Sequence, residues 1–538
     1  MMMLFRRSAS RGRDFSDWFW PRGLLLLSLG VLAVPIALWS AFWLRAPWSV
    51  AMVVILVAAL WTLGHGSDDV ALDLPTRREL RATAWWAFVP LALMCFGSGI
   101  GGWGYQSSDW NKHNAVLADL VRFEWPVRYM EAPDAVHLTY YTAFYLPAAL
   151  VGKVFGWTGA LVAHQLGALV VMGLLAAWLA WLGGPRVKWI GVVFAGFGGM
   201  DYLAAIIGPL LHGGMPQLVP FSREWWEKPI LWWAYYAHAT ELFWVPHTAL
   251  AGWLGSAILL RGTSPLRTAD KGAVSSENWN DLSFDLVACA LLPLWSPWAW
   301  IGCLVLLGVR VVQQRRTGRS LGVWPWVFMV AVWGMQFGYL MSRLPLPKGV
   351  TGVRGYRPSF AAPGLIREFG VSFFSSWLAF SLVEFGVFAL LCVLLWRRAK
   401  FSSSLAPFLL VSVLMLVALP LFQYGLYNDL LRAAVVPLVV LCLSCVSALR
   451  VSSLQGVRAL KTVLVVALGI GGLHSIQYAI YFAHTEKEDM KAHRLVHLPN
   501  LKKTPTVYGL YAHDHRPQLL TQYIGRDDSV WARWFLKP

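Results

Sequence analysis

Apolar runs of about twenty residues, broken by short polar stretches, recur along the whole of this 538-residue chain. They lie at 23–45, 48–64, 84–102, 158–182, 188–206, 244–261, 322–342, 372–395, 405–423, 431–449 and 461–483. A helix crosses a bilayer core with about 20 residues, so the pattern predicts an all-α, polytopic transmembrane protein of about 11–13 helices. Two stretches do not fit one span each. Residues 138–155 (LTYYTAFYLPAALVGKVF) either cross or lie along the interface. Residues 284–312, broken by Pro293 and Pro297, read as a short helical hairpin dipping in from the cytoplasmic side. The run 24–44 follows Arg6, Arg7, Arg11 and Arg13 but is too long for a signal-peptide core and lacks a small-residue cleavage site. It reads as an uncleaved first span with its N-terminus in the cytoplasm.

The polar stretches set orientation. Lys and Arg crowd 65–83, 183–188, 262–282, 313–321, 396–404 and 450–460, which are therefore the inside loops. The outer regions are then 103–157, 207–243, 343–371, 424–430 and 484–538, with interfacial helices expected among them. The division is a membrane domain over 1–483, its first outer loop at 103–137, and a short outer-face tail at 484–538.

Composition agrees with this division. Hydrophobic residues make up 57% and charged residues 14%, against roughly 25% charged in soluble domains. The 32 tryptophans suit headgroup interfaces, where the ring is apolar and the N–H stays wet. The formal charge of +17 is spread over short inside loops, which speaks for membrane orientation and against nucleic acid as a partner. All six cysteines fall in apolar stretches and read as small buried hydrophobes, with no disulfide framework or zinc site. There is no P-loop.

Candidate chemistry gathers in the outer regions. The first outer loop reads SSDWNKHNAVLADLVRFEWPV, and on a helix Asp109, Lys112 and His113 share one face. A carboxylate backed by a cation at the membrane edge suits a general base or a metal ligand. The plainer reading is a wet loop with ordinary caps and ion pairs. Asp119 follows ten residues on. Asp201, after GGM near a span end, is either functional or a helix-terminal interface residue. His238, Glu241 and His247 surround a Trp-Val-Pro helix start. Their spacing is not the HExxH pattern, so they read better as polar lining of an outer cavity than as metal ligands. The outer loop 343–371 carries Arg343, Lys348, Arg354, Arg357 and Arg367 against Glu368 alone, which breaks the positive-inside rule. Arginine grips phosphate bidentately, so Arg354 and Arg357 suit a phosphate-bearing lipid, the alternative being plain contact with anionic headgroups. At the mouth of a later span Asp429 and Arg432 are spaced to pair, as a structural salt bridge or a substrate contact.

The first-loop aspartate followed by YYTAFYLPAALVGKVFG resembles the GT-C superfamily, multi-span glycosyltransferases that use polyprenyl-phosphate sugars. The set SDWNKHNAVLADL, GGMDYL, WVPHTALAGW, YNDLLRAAVVP and QYIGRDDSVWARWF extends that resemblance to a bacterial GT-C-like group over most of the chain. The resemblance implies that Asp109 is the catalytic residue, as acceptor-activating base or as a ligand placing a metal. In several such families a second acidic residue follows; here Trp110 does, so no cofactor is required outright and a divalent metal is left open. Lys112, His113, Asp119, Asp201, His247, Arg354, Arg357, Asp429 and Arg432 are the expected substrate-binding residues. The implied partners are membrane lipids and a polyprenyl-phosphate-linked sugar, with the acceptor unspecified.

Location shapes the expected chemistry. Nucleotide sugars stay in the cytoplasm, so an outward-facing transferase in a bacterial cytoplasmic membrane needs a membrane-bound donor. Two other readings compete: a transporter or flippase of a lipid-linked substrate, and a non-catalytic subunit of an envelope polysaccharide assembly system. The first normally brings internal repeats, which this chain lacks.

Overall fold

The computed structural model describes residues 19–65, 73–104, 106, 109–203, 233–266, 281–316, 322–344, 357–358, 373–423, 429–452, 456–491, 500–512 and 520–538. The chain runs through α1 (Leu24–Trp43), α2 (Ala46–Gly64) and α3 (Leu74–Gly97) into a short helix α4 (Trp110–Arg122) and a strand β1 (Val136–Leu138). Then come α5 (Leu146–Gly183), α6 (Ile190–Ala195), α7 (His238–Trp244) and α8 (Pro246–Leu260). Helices α9 (Leu282–Leu291) and α10 (Pro297–Arg316) precede α11 (Val323–Met341) and the two-residue strand β2 (Arg357–Pro358). Helix α12 (Phe373–Ser381) passes through a π turn at Leu382–Gly386 into α13 (Val387–Arg398). Helix α14 (Ala406–Ala418) leads to β3 (Phe422–Gln423), a 3-10 turn at Asp429–Ala434 and α15 (Val435–Leu449). The last long helix is α16 (Val457–Lys491), followed by α17 (Val507–Ala512), β4 (Ile524–Arg526) and α18 (Val530–Phe535).

Eight helices among the described residues are long and apolar enough to cross a membrane, and the chain is an all-α, multi-pass membrane protein. That is fewer than the eleven or more expected, for local reasons. The run 188–206 is not one span: α6 ends at Ala195, capped by the Gly196 N–H on the Val192 carbonyl, residues 197–200 lie outside any helix, and helix resumes at Asp201. Glycines at 196, 198 and 199 interrupt it, since glycine loses the most conformational freedom in a helix. The run 405–423 yields only the 13 residues of α14 and a 3-10 turn, and the run 244–261 only the 15 residues of α8, which Pro246 starts and a 3-10 turn at Arg261–Thr263 ends.

The ambiguous segment 138–155 does not extend the helix that follows it. Gly156 breaks α5 with φ +73°. A Cβ placed on Gly152 would lie 2.6 Å from the Ala160 Cβ, whereas residues eight apart on a straight helix are about 12 Å apart. Residues 146–155 therefore fold back beside α4, held there by Lys153 Nζ donating to the Phe123 carbonyl at 2.6 Å. The stretch 284–312 forms the expected hairpin, α9 and α10 turning at Leu292–Ser296.

Burial separates core helices from lipid-facing ones. In α15 and its preceding turn 89% of the apolar span is buried, against 22% in α2 and 28% in α3. Helices α5, α8 and α15 thus form the centre, and the apolar side chains on α2, α3, α11 and α16 face outward. One end of the bundle gathers the basic residues. Arg450 donates to the Gly183 carbonyl, Arg186 pairs with Glu79, and Arg261 and Arg310 both grip the fully buried Asp285.

The opposite end holds α4, β1 and the tail. Strand β4 pairs antiparallel with β1, Val136 opposite Arg526 and Leu138 opposite Ile524. On its other side Leu344 donates its N–H to the Ile524 carbonyl at 2.9 Å. Arg45 and Lys537 N–H groups bond Phe535 and Trp43 carbonyls at 2.9 and 2.7 Å. The stretch after α16 is therefore woven into the membrane domain.

Candidate functional site

Helix α4 presents the first-loop residues as a face. Asp109 stands just before its first turn, and Lys112 Nζ donates to Asp109 Oδ2 at 2.7 Å. The Asp109 side chain is 31% exposed and the Lys112 side chain 10%. Burial would raise the Asp109 carboxyl, but the charges of Lys112 and Arg432 and the Lys112 hydrogen bond prevail and hold it at about 2. It is a permanent, weakly basic carboxylate.

One turn on, His113 is buried between Tyr145 and the Trp244 carbonyl. A carbonyl only accepts, so Nε2 carries the proton and donates to Trp244 at 3.0 Å, and Nδ1 accepts from the Tyr145 hydroxyl. Burial first, and then the Lys112 charge, push His113 down to about 3, so the ring is neutral and oriented.

Two distant segments complete the recess. Arg432 pairs with Asp429 at 3.1 Å, each side chain 17% exposed. Its charge acts on both Asp109 and Glu241. Burial lifts the Glu241 carboxyl to about 8 against the pull of Arg432. His247, in the first turn of α8, is fully buried, and neither ring nitrogen has a hydrogen-bond partner among the described residues. Its ring lies 4.9 Å from Tyr141 and 5.4 Å from His113, and it feels the charges of Lys112 and Arg432. The tail adds a wall, with Tyr523 4.9 Å from Tyr140 and stacked on Tyr511 at 4.8 Å. These residues thus form one cluster, running from the partly exposed Asp109, Asp429 and Arg432 inward to the fully buried His247.

The structure brings together Asp109, Lys112, His113, His247, Asp429 and Arg432 from three separated stretches. Asp119 points away from them. It accepts from the Tyr129 hydroxyl and the Val507 N–H, both at 2.8 Å, and so pins the tail. Asp201 belongs to a different group, acting on His474, while Glu384 lies against Gly199. Arg354 lies outside the described residues. The Arg357 backbone pairs with Gln423, six positions before Asp429, so β2 reaches the neighbourhood of the recess. Among the described residues no three His, Cys, Asp or Glu side chains are placed to hold a metal ion.

Spacing gave no signal for Tyr140, Tyr141 or Tyr523, which are ordinary aromatics in sequence. Glu384, Asp285 and Arg310 do carry a signal, as ionisable residues within apolar runs. Two of these form the Arg261–Asp285–Arg310 staple at the far end.

An apolar groove of about 1060 Å³ lies between α3, α6 and α16. Leu93, Trp103, Phe243, Gly469 and Gly472 are among its lining. It ends near the recess: the Phe243 carbonyl accepts from Trp110 Nε1 at 3.0 Å, next to Asp109, and the adjacent Trp244 carbonyl accepts from His113 Nε2 at 3.0 Å. No family model, curated protein or solved structure matches the chain.

Proposed function

We propose that the chain is a GT-C-like glycosyltransferase of a bacterial cytoplasmic membrane. It moves a sugar from a polyprenyl-phosphate donor to an acceptor hydroxyl on the outer face. The observation that carries this reading is the junction of the apolar groove with the ion-paired recess. A polyprenyl phosphate is an apolar chain ending in an anion, and the two features match those parts in order.

The groove takes the chain at membrane depth. Lys112 and Arg432 meet the phosphate, supported by Arg354 and Arg357 of the basic loop. Both cations already sit on carboxylates, so the phosphate exchanges one anionic partner for another rather than filling bare positive charge. As the anomeric carbon–oxygen bond breaks, charge grows on the leaving phosphate, where these cations stabilise it. Asp109 at the partly exposed end meets the acceptor, as a carboxylate that positions the hydroxyl and sets the local charge.

The test is native mass spectrometry of the purified full-length protein, with a transfer assay using radiolabelled polyprenyl-phosphate sugars in proteoliposomes. Retained polyprenyl phosphate and consumption of labelled donor are expected. A protein that binds no such lipid and consumes no donor overturns the reading. One observation favours the transporter alternative: buried Asp201, Glu384 and His474 lie among the helices, as ionisable groups do along transport paths. Movement of the labelled lipid between leaflets without transfer would decide for it.

A further inference from the structure

His247 is the unusual member of the recess. A fully buried imidazole normally satisfies at least one nitrogen, since an unmade hydrogen bond in the interior is costly. His113, one ring away, satisfies both. His247 satisfies neither among the described residues, although hydroxyl-bearing rings surround it at 4.9 Å (Tyr141) and 6.2 Å (Tyr140). Its neighbours meet it through ring contacts rather than hydrogen bonds. Pro246 starts α8 just before it, so backbone and side chain are set by a rigid, wholly buried helix. The site thus holds a neutral, preoriented proton acceptor at the buried end of the cluster.

The charged surroundings decide when it can act. From α4, Lys112 faces it beside the neutral His113; from the 429–434 turn, Arg432 does; Tyr140 and Tyr141 close the remaining side. The carboxylates of Asp109 and Asp429 are each committed to one of the cations. Burial first, and then the neighbouring cations, make a charge on His247 unfavourable in the free protein. An anionic phosphate bound to Lys112 and Arg432 removes the share of that opposition that the cations contribute.

We propose that His247 is the proton acceptor of the transfer, switched on by the donor phosphate that Lys112 and Arg432 bind. This rests on the transferase reading. The acceptor O–H proton passes to a free His247 nitrogen while the hydroxyl oxygen forms its bond to the anomeric carbon. The bond from that carbon to the phosphate oxygen breaks, and its electron pair leaves on the lipid phosphate. The imidazolium then returns its proton to the departing phosphate, so the cycle closes without a further reagent. Asp109 complements this, since its pairing with Lys112 keeps it a weak base.

The experiment is titration calorimetry of farnesyl monophosphate into the full-length protein in detergent, in two buffers of different ionisation enthalpy near neutral pH. Phosphate that binds between cations tends to release its own proton, and this contribution is common to all variants. Farnesyl monophosphate has the charge of the departing phosphate, so the complex it forms is the one in which His247 holds the proton. The wild-type protein should therefore take up close to one proton more per ligand than His247→Gln and, since that protonation is linked to binding, should bind at least about tenfold more tightly. In the donor-consumption assay His247→Gln should lose about a hundredfold or more in rate, the scale of general-base catalysis. Should His247→Gln fail to fold, His247→Asn replaces it in both measurements. Equal proton balance in variant and wild type, or undiminished transfer by the variant, overturns the role of His247 and leaves the transferase reading intact. Failure of the wild-type protein to bind farnesyl monophosphate or to consume any donor overturns the transferase reading, and this role falls with it.

Discussion

Asp119 ties the tail to the membrane domain, and removing it should free the tail. Its carboxyl is fully buried, Oδ2 accepting from the Val507 N–H and the Tyr129 hydroxyl at 2.8 Å each, with Arg122 3.7 Å from Oδ1. Asp119→Ala leaves two donors without an acceptor. A buried donor left unmade costs about 1–3 kcal/mol, so the clasp should lose about 2–6 kcal/mol. At 1.36 kcal/mol per tenfold, the opened tail becomes more populated by a factor of roughly thirty to a few tens of thousands. Burial raises the Asp119 carboxyl from 3.8 to about 7, against the bonds from Val507 and Tyr129 and the charge of Arg122. A folded value above the unfolded one means the folded form holds the proton more tightly. The stabilisation is complete below about pH 4 and is lost as pH rises through about 7. The tail should therefore be tighter at pH 5 than at pH 8, and Asp119→Asn, which cannot ionise, should flatten that dependence. Limited proteolysis of the detergent-solubilised protein, with cleavage within 500–538 read by mass spectrometry, measures both effects. A tail equally resistant in Asp119→Ala and wild type, or an unchanged pH slope in Asp119→Asn, would refute the reasoning.

Asp285→Ala removes the shared partner of buried Arg261 and Arg310 and should destabilise the fold by about 3–5 kcal/mol, read as a lower thermal midpoint in detergent; an unchanged midpoint would sink the idea that the pair is a structural staple. Gly469 lines the groove with nothing within 4 Å of a Cβ built on it, so Gly469→Phe should fold normally yet retain less polyprenyl phosphate in native mass spectrometry. Gly471→Val, in contrast, drives a side chain into the Gly198 carbonyl, and its monodisperse yield on size exclusion should collapse. Lys112→Met takes away the main cause that holds Asp109 at about 2. The depressed carboxyl stabilises the fold above about pH 4 and that contribution fades toward pH 2, so the variant should unfold at higher pH in an acid titration followed by tryptophan fluorescence.

Much of the architecture was legible in the order of apolar and polar residues. A bilayer-length apolar run has one economical conformation in lipid, because only a helix satisfies its own backbone. The long helices α1, α2, α11 and α15 follow from that alone, as does the α9–α10 hairpin signalled by Pro293 and Pro297. The failure at 188–206 has a plain cause: mean hydropathy counts FGGM as span-compatible, but three glycines interrupt the helix there. The reversal at Gly156 was equally hidden, since an apolar sequence on both sides of a glycine reads the same whether the chain runs straight or folds back.

The site shows the same division. Sequence alone determined that Asp109, Lys112 and His113 share a helix face and that Asp429 can pair with Arg432, because i,i+3 and i,i+4 spacing fixes neighbours within a helix. It also marked His247 as a polar residue at a helix start. Only the tertiary structure decided that these three stretches, some 320 positions apart at the extremes, converge on one recess. It alone separated Asp119 and Asp201 from that recess, placed Tyr523 of the tail against Tyr140, and left both nitrogens of His247 without partners among the described residues. The physical reason is range: periodicity and propensity act over one or two helical turns, whereas the field that holds Asp109 as a carboxylate comes partly from Arg432, a residue brought near by the packing of α8 and α15 against α5.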